Sequence, residues 1–365
     1  MPIRLAILGL DLVQRTWLDA LRELQTAGDI EIVALGHRSI AQCRDVGDYL
    51  GQPTLPAFDD LRLLLKQTTP QVLLMDRPSN ASLDFLRLCA AQEIAIFSLG
   101  PPVESLAEAK ALSEMLPPQT HLLHTWPRFA DAPACRHCAQ AEDFLRPIRF
   151  ASASWLGLNH ALAKALPAGA ATTDLPIRSL SVLAWDLLAT LLPLMGMPIS
   201  VYAAIRGTVP AGNTFIDLSG AAAVTLRFPE DAAASLTLCD RALATTGPGP
   251  LGPISRRDLL LWGGGSSGSG GKGMGGTLHL STDAYEFRDE TGAIIDASPN
   301  PTPSTALPTP LESLREFLRH VALPPSPHRG WPHHLEEIAA ILEALVVSHR
   351  TGQPESPDRL RTLRR

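Results

Sequence analysis

The chain has 365 residues, of which 45% are hydrophobic and 19% charged, with a net charge of −6. That length favours two domains over one, and the acidic balance argues against a nucleic-acid binder. No apolar run approaches the roughly 18 residues of a membrane span, and Met1-Pro2-Ile3-Arg4-Leu5 enters a strand without the features of a secretory signal, so a soluble, cytoplasmic protein is expected.

In chain order, Ile3–Leu8 reads as a strand, Arg15–Ala27 as a helix and Ile30–Leu35 as a strand. Ile40–Leu50 and Phe58–Lys66 have helical periodicity, Val72–Met75 reads as a strand, Ser82–Gln92 as a helix, Ile94–Ser98 as a strand and Leu106–Leu116 as a helix. This alternation is that of βαβ units on a parallel sheet.

The second half changes character. Ile148–Trp155 reads as a strand, Leu156–Pro176 as a loop, and Ile177–Met195 as a strongly apolar helix. Strand-like runs follow at Ser200–Arg206, Phe215–Leu218, Ala221–Phe228, Ala234–Cys239, Asp258–Leu261, Thr277–Leu280 and Tyr285–Arg288. Strands in succession predict an antiparallel sheet in an α+β domain. Pro299–Pro310 is a proline-rich crossing, and Leu311–Val321 and His334–His349 are amphipathic helices. The expected division is a Rossmann-like domain over 1–122 and an α+β domain over 123–365, with the helices 311–321 and 334–349 packing back near the first.

Gly9-Leu10-Asp11-Leu12-Val13-Gln14 stands where a dinucleotide-binding turn carries Gly-x-Gly-x-x-Gly. The second glycine, which lets the backbone approach a pyrophosphate, is Asp11; the third, which lets the helix pack on the strand, is Gln14. Two like charges about 4 Å apart repel by about 4 kcal/mol at an effective dielectric near 20, which is about three decades of affinity. Arg15, Arg38 and Arg77 fall where they could compensate, or are solvated surface arginines. After the second strand, where an acid usually holds the ribose, stands His37-Arg38. This pair suits the 2′-phosphate of NADP or is an exposed loop pair.

Other constellations are weak. Gly271-Lys272 in the glycine-rich stretch Gly263–Gly276 fails as a phosphate loop, because Ser266 replaces the first glycine and Gly273 the final Ser or Thr. A flexible hairpin tip is expected there instead. The cysteines Cys43, Cys89, Cys135, Cys138 and Cys239 form no disulfide framework. Cys135-Arg136-His137-Cys138 has ligand-like spacing without a second pair, and His333-His334 reads as helix capping, so no metal site is expected.

The order and spacing of several motifs resemble the glucose–fructose oxidoreductase / inositol dehydrogenase (Gfo/Idh/MocA) family over nearly the whole chain. They are Phe58-Asp59-Asp60-Leu61 before Leu64, Val103–Ala109, Arg128-Phe129 with Pro133, Arg257–Trp262 followed by Gly276-Thr277-Leu278, and Arg350-Thr351-Gly352-Gln353-Pro354. The resemblance implies that the second domain's antiparallel sheet is an open one, and it implies NAD(P)-dependent hydride transfer at a sugar or cyclitol carbon, in a cleft between the two domains. It assigns cofactor contacts to Gly9, Leu10, Asp11, Leu12, His37, Arg38, Arg77, Pro78 and Pro101 if a cofactor binds.

The family's reactive groups are replaced. Leu99-Gly100-Pro101 stands for Glu-Lys-Pro, so Gly100 holds the lysine's place. Aligning Asp-x-x-x-His-x-x-Asp on Asp186 puts Ser179 at the first acid and Leu183 at the histidine, and a leucine cannot move a proton. Of the lysines Lys66, Lys110, Lys164 and Lys272, only Lys164 is placed to substitute; His124 and His160 are the other stand-ins. Three functions stay open: a degenerate family member with a binding, scaffolding or regulatory role; an active NAD(P)-dependent oxidoreductase with a rearranged site; or a sensor of another anionic metabolite. The expected ligand is small and anionic or sugar-like, and a homo-oligomer through the second domain's sheet is expected.

Overall fold

The computed structural model describes residues 2–10, 12, 15–76, 83–115, 123–125, 129, 145–156, 180–210, 214–215, 218–240, 256–264, 275–281, 284–298, 309–322 and 334–363. The chain forms two compact units. The first comprises Met1–Pro127 with Pro308–Leu335, the second Arg128–Leu307 with Glu336–Arg365.

The first unit carries strands β1 (Ile3–Leu8), β2 (Ile30–Gly36), β3 (Ala57–Phe58), β4 (Val72–Met75), β5 (Ala95–Ser98) and β6 (Leu123–Thr125). All pair in parallel, in the order β3-β2-β1-β4-β5-β6. This is the Rossmann order, with the reversal of winding between β1 and β4. The β4 and β5 strands are buried along their whole length, which is why they read as continuous apolar runs. The interleaved helices are α1 (Arg15–Thr26), α2 (Ile40–Tyr49), α3 (Leu61–Thr68), α4 (Leu83–Ala91) and α5 (Leu106–Met115).

One boundary differs from the sequence reading. Phe58 is a strand residue paired with Gly36, because the Asp60 carboxylate accepts the backbone N–H groups of Arg62 and Leu63 and so starts α3 at Leu61. A further helix, α7 (Pro310–Val321), packs on α1, opened by a reciprocal Thr309–Glu312 capping box. Its Phe317 ring meets Phe97 of β5 at 5.2 Å, and Trp17 of α1 meets Phe97 at 5.4 Å. A late helix thus completes the core that β1, β5 and α1 begin.

The second unit is built on an eight-stranded sheet. Its strands are β7 (Ile148–Leu156), β8 (Ser200–Thr208), β9 (Ser219–Arg227), β10 (Ala233–Cys239), β11 (Arg256–Gly263), β12 (Gly276–Ser281), β13 (Tyr285–Arg288) and β14 (Ile294–Ala297). The order is β14-β13-β12-β11-β7-β10-β9-β8, antiparallel throughout except for the β7–β10 pair, which is parallel. Alternation is strict on β9 and β10, with Ala222, Val224, Leu226, Ala234, Leu236 and Leu238 buried. Helix α6 (Leu180–Met195) covers that inner face against β7, β9 and β10.

The Phe215–Leu218 run is not a strand where it is described: Leu218 N–H turns back onto the Phe215 carbonyl, and Phe215 packs beside Trp185. The Gly263–Gly276 stretch does join an antiparallel hairpin, with those two glycines as partners; residues 265–274 lie outside the described set.

Helices α8 (Leu335–Thr351) and α9 (Pro357–Leu363) end the chain. They also close the β8 edge. Glu355 exchanges backbone hydrogen bonds with Val201, Ser348 Oγ accepts from Ala203 N–H, and His349 Nδ1 accepts from Ile205 N–H. An edge satisfied in this way is no template for another strand.

Candidate functional site

Two places carry the residues that the sequence singled out, one in each unit. In the first unit they are the C-terminal ends of β1, β2, β4 and β5, the edge where open α/β sheets bind ligands. Gly9 leaves β1 with φ +75 and donates its N–H to the Gly36 carbonyl. A Cβ there would have room, 3.6 Å from the Asp76 Cβ, so the left-handed backbone and not crowding calls for glycine. Gly36 is crowded instead: a Cβ would sit 2.5 Å from Leu8 Cδ2, so that leucine side chain would have to shift. Leu10 is buried and Leu12 half-buried; Asp11 and Gln14 lie outside the described residues.

At the end of β2, His37 is half-buried and its Nδ1 accepts the Ser39 N–H at 2.9 Å. That bond occupies Nδ1 and leaves Nε2 as the ring nitrogen open to a further partner. Arg38 is exposed beside it. Arg15 is also exposed, and Arg77 and Pro78 lie outside the described residues.

Asp76, at the end of β4, is a group that the sequence reading missed. It is half-buried, its N–H bonds the Leu8 carbonyl, and it stands between Gly9 and Gly100. At the end of β5, Ser98 is fully buried; its Oγ donates to the Gly100 carbonyl at 2.7 Å and accepts the Gly100 N–H at 3.3 Å. The chain here is a closed loop, followed by buried Pro101. A Cβ on Gly100 would meet only the Asp76 carbonyl, at an ordinary 3.7 Å. The backbone therefore accepts a side chain at the lysine's position, and the chain supplies none.

In the second unit the site is the end of the sheet where β7 and β10 finish and β9 and β11 begin. Leu180 N–H bonds the Leu218 carbonyl just before β9, which sets the N-terminus of α6 at this same end. Leu183, at the expected histidine position, is 1% exposed among apolar neighbours on its helix. Ser179, His160 and Lys164 lie outside the described residues, and His124 is within β6 of the first unit.

What the sequence used only as a landmark, Asp186, is the hub of the second unit. Its Oδ1 accepts the Phe129 N–H at 2.6 Å, its Oδ2 accepts Trp155 Nε1 at 3.0 Å, and Arg257 Nη1 lies 3.2 Å from Oδ2. Phe129 also packs edge-on against Trp155, with ring centroids 4.9 Å apart. Asp186 and Arg257 are 2% and 1% exposed. Burial lowers the Arg257 pKa, and the facing Asp186 carboxylate opposes that fall. The Nη1 contact is off-axis: among the described residues, none of Nε, Nη1 and Nη2 has a hydrogen-bond partner. Asp186 and Arg257 are 71 positions apart in sequence, and only the β7–β11 register, Trp155 opposite Arg257, reveals the pair.

Among the described residues, no group of three His, Cys, Asp or Glu side chains is placed to hold a metal ion, and no helix is long and apolar enough to cross a membrane.

No family model matches this chain, and no curated protein sequence does. Solved structures match its fold end to end. An oxidoreductase from Agrobacterium radiobacter, in complex with NAD+, L-tartaric acid and magnesium, has a TM-score of 0.65 at 15% identity, covering 99% of this chain and 100% of that one. A levoglucosan dehydrogenase in complex with NADH and L-sorbose gives 0.68 at 12% identity over 98% and 99%. The WlbA dehydrogenase of Bordetella pertussis, with NADH and UDP-GlcNAcA, gives 0.64 at 14% over 98% and 99%. The chain has the fold of these NAD-binding oxidoreductases: a Rossmann-like unit joined to a unit with a mostly antiparallel sheet.

Proposed function

We propose that this chain is a Gfo/Idh/MocA-type protein that has set aside the family's hydride transfer and acts by binding a small anionic or sugar-like ligand. The observation that carries this reading is Leu183: the position expected to handle the proton is an apolar side chain sealed in the interior. Gly100, with room for a side chain and none present, points the same way.

The residues fit a dinucleotide only in part. Gly9 supplies the first tight turn, but Asp11 and Gln14 occupy the other glycine positions and Asp76 adds a carboxylate beside the turn. No acid follows β2 to hold a ribose, and His37 is committed to Ser39.

Titration of the purified protein with NADH and NADPH, read by fluorescence and by thermal shift, tests the reading. The expected result is no micromolar binding of either, with binding gained in Asp11→Gly/Gln14→Gly. Micromolar binding by the unaltered protein sinks the proposal. Light scattering on the same sample is expected to give a homo-oligomer, formed through the outer sheet face on which Phe150 and Tyr202 are exposed.

A further inference from the structure

We propose that Arg257 is the anchor of an oxyanion-binding site in the second unit, taking a carboxylate or phosphate group of a small ligand. This rests on the reading above that the chain works by binding, and it locates that binding.

A guanidinium carries five N–H donors in a rigid fork suited to two parallel bonds with an oxyanion. Arg257 is 1% exposed, and among the described residues its one charged neighbour is Asp186. That carboxylate is already bonded by the Phe129 N–H and by Trp155 Nε1. The guanidinium lies beside a carboxylate whose two oxygens other donors hold, and among the described residues its Nε, Nη1 and Nη2 have no hydrogen-bond partner. A buried charge with unfilled donors is costly, far more so than a neutral group in the same state. Structures keep such a group where an acceptor completes it, and the acceptor that suits a fork is an oxyanion.

Its place in the fold agrees. Arg257 stands near the start of β11, opposite Trp155 near the end of β7, and Leu238 near the end of β10 is Trp155's other neighbour. Leu156 at the end of β7, Cys239 at the end of β10 and Arg256 at the start of β11 are neighbours at this same end of the sheet. Helix α6, 16 residues long with no acid in its first turn, begins at the same end, so its N-terminal dipole adds to the attraction for a negative group. Asp186 has a defined part: it fixes the fork by charge without using its donors.

The test uses the full-length protein and three probes at constant ionic strength: D-glucuronate, inorganic phosphate and D-glucose. Thermal shift and calorimetric titration are expected to give saturable binding of glucuronate or phosphate at least tenfold tighter than any binding of glucose. In Arg257→Met that binding is expected to be lost. Arg257→Lys, which keeps the charge facing Asp186 but removes the fork, is expected to weaken it at least tenfold and serves alone if Arg257→Met fails to fold. Glucose binding as tightly as the anions, no saturable response to either anion, or anion binding unchanged in Arg257→Lys would overturn the proposal. The NADH and NADPH titrations are independent of these readouts, so failure here and failure of the reading above are told apart.

Discussion

The two units of this chain solve the problem of a stable interior differently. Among the described residues, the first unit buries only hydroxyls as polar groups, Thr68, Ser98 and Ser313, inside an aliphatic and aromatic core. The second buries Asp186, Asp240, Arg257 and Glu343. The first gains from apolar burial, at about 25 cal/mol per Å². The second places ionisable side chains where any charge must be matched by a partner. The comparison separates scaffold from site: the dinucleotide-type fold is held by ordinary packing, whereas the unit with the buried charges has kept groups that packing alone does not need.

The largest effects distinguish these interiors directly. Phe97→Ala in the first unit removes a ring that Trp17 and Phe317 both pack against, and a loss of about 3–5 kcal/mol is expected on urea denaturation. Asp186→Ala in the second is expected to cost about as much, since it strands a buried guanidinium. The two losses differ in their remedy. Joining Asp186→Leu to Arg257→Met, which removes both charges, is expected to recover part of the second loss, the rest remaining because the buried Phe129 N–H and Trp155 Nε1 lose their acceptor, while the Phe97 cavity has no such partner. If the double variant is no more stable than Asp186→Ala, the charge account of the second unit fails.

Smaller effects come from pH. Cys89, on α4 of the first unit, is fully buried and its thiol is pushed up from 9.0 to about 12 by that burial. A raised thiol pKa means that the folded state favours the neutral form. The associated stability is fully present below pH 9 and is lost as pH rises from there toward 12, at about 1.4 kcal/mol per pH unit. Cys43 shifts the same way, also by burial. Denaturation midpoints measured from pH 8 to 10.5 should therefore fall in the wild type and fall less in Cys89→Ala. Equal slopes would mean that the first unit's interior is not dry at α4.

Much of this was legible from the sequence, for a physical reason. Where a segment is buried on one face or both, its apolar spacing records the burial, so β1, β2, β4, β5, β9, β10 and α1 were readable to within a residue or two. Segments that bury little left no trace: Ile294–Ala297 is exposed throughout β14 and is held by its pairing with β13. Phe215 and Leu218 went the other way: apolar enough to read as part of a strand, they are buried where Leu218 N–H turns back onto the Phe215 carbonyl. In the site, Gly9, Gly100 and Leu183 could be placed by motif order. Asp76 and the Asp186–Arg257 pair could not, because their meaning comes from strand neighbours distant in sequence.

The finest contrast lies at a turn of the second unit, far less costly than its buried pair. Between β9 and β10, Glu230 and Asp231 have φ of +57 and +59, a left-handed backbone that costs an L-residue about 1–2 kcal/mol. The turn is held all the same, by Phe228 N–H on the Ala232 carbonyl and by the Arg149 guanidinium on the Glu230 carbonyl at 2.8 Å. Asp231→Gly removes the left-handed penalty and leaves both of those bonds, but it also frees the unfolded chain, which offsets about 0.4–1 kcal/mol of the gain. A net stabilisation of up to about 1 kcal/mol is expected on urea denaturation, with Asp231→Val moving the other way because a β-branched side chain is still less suited to that φ. If both substitutions destabilise alike, the aspartate side chain matters to the turn more than its backbone does.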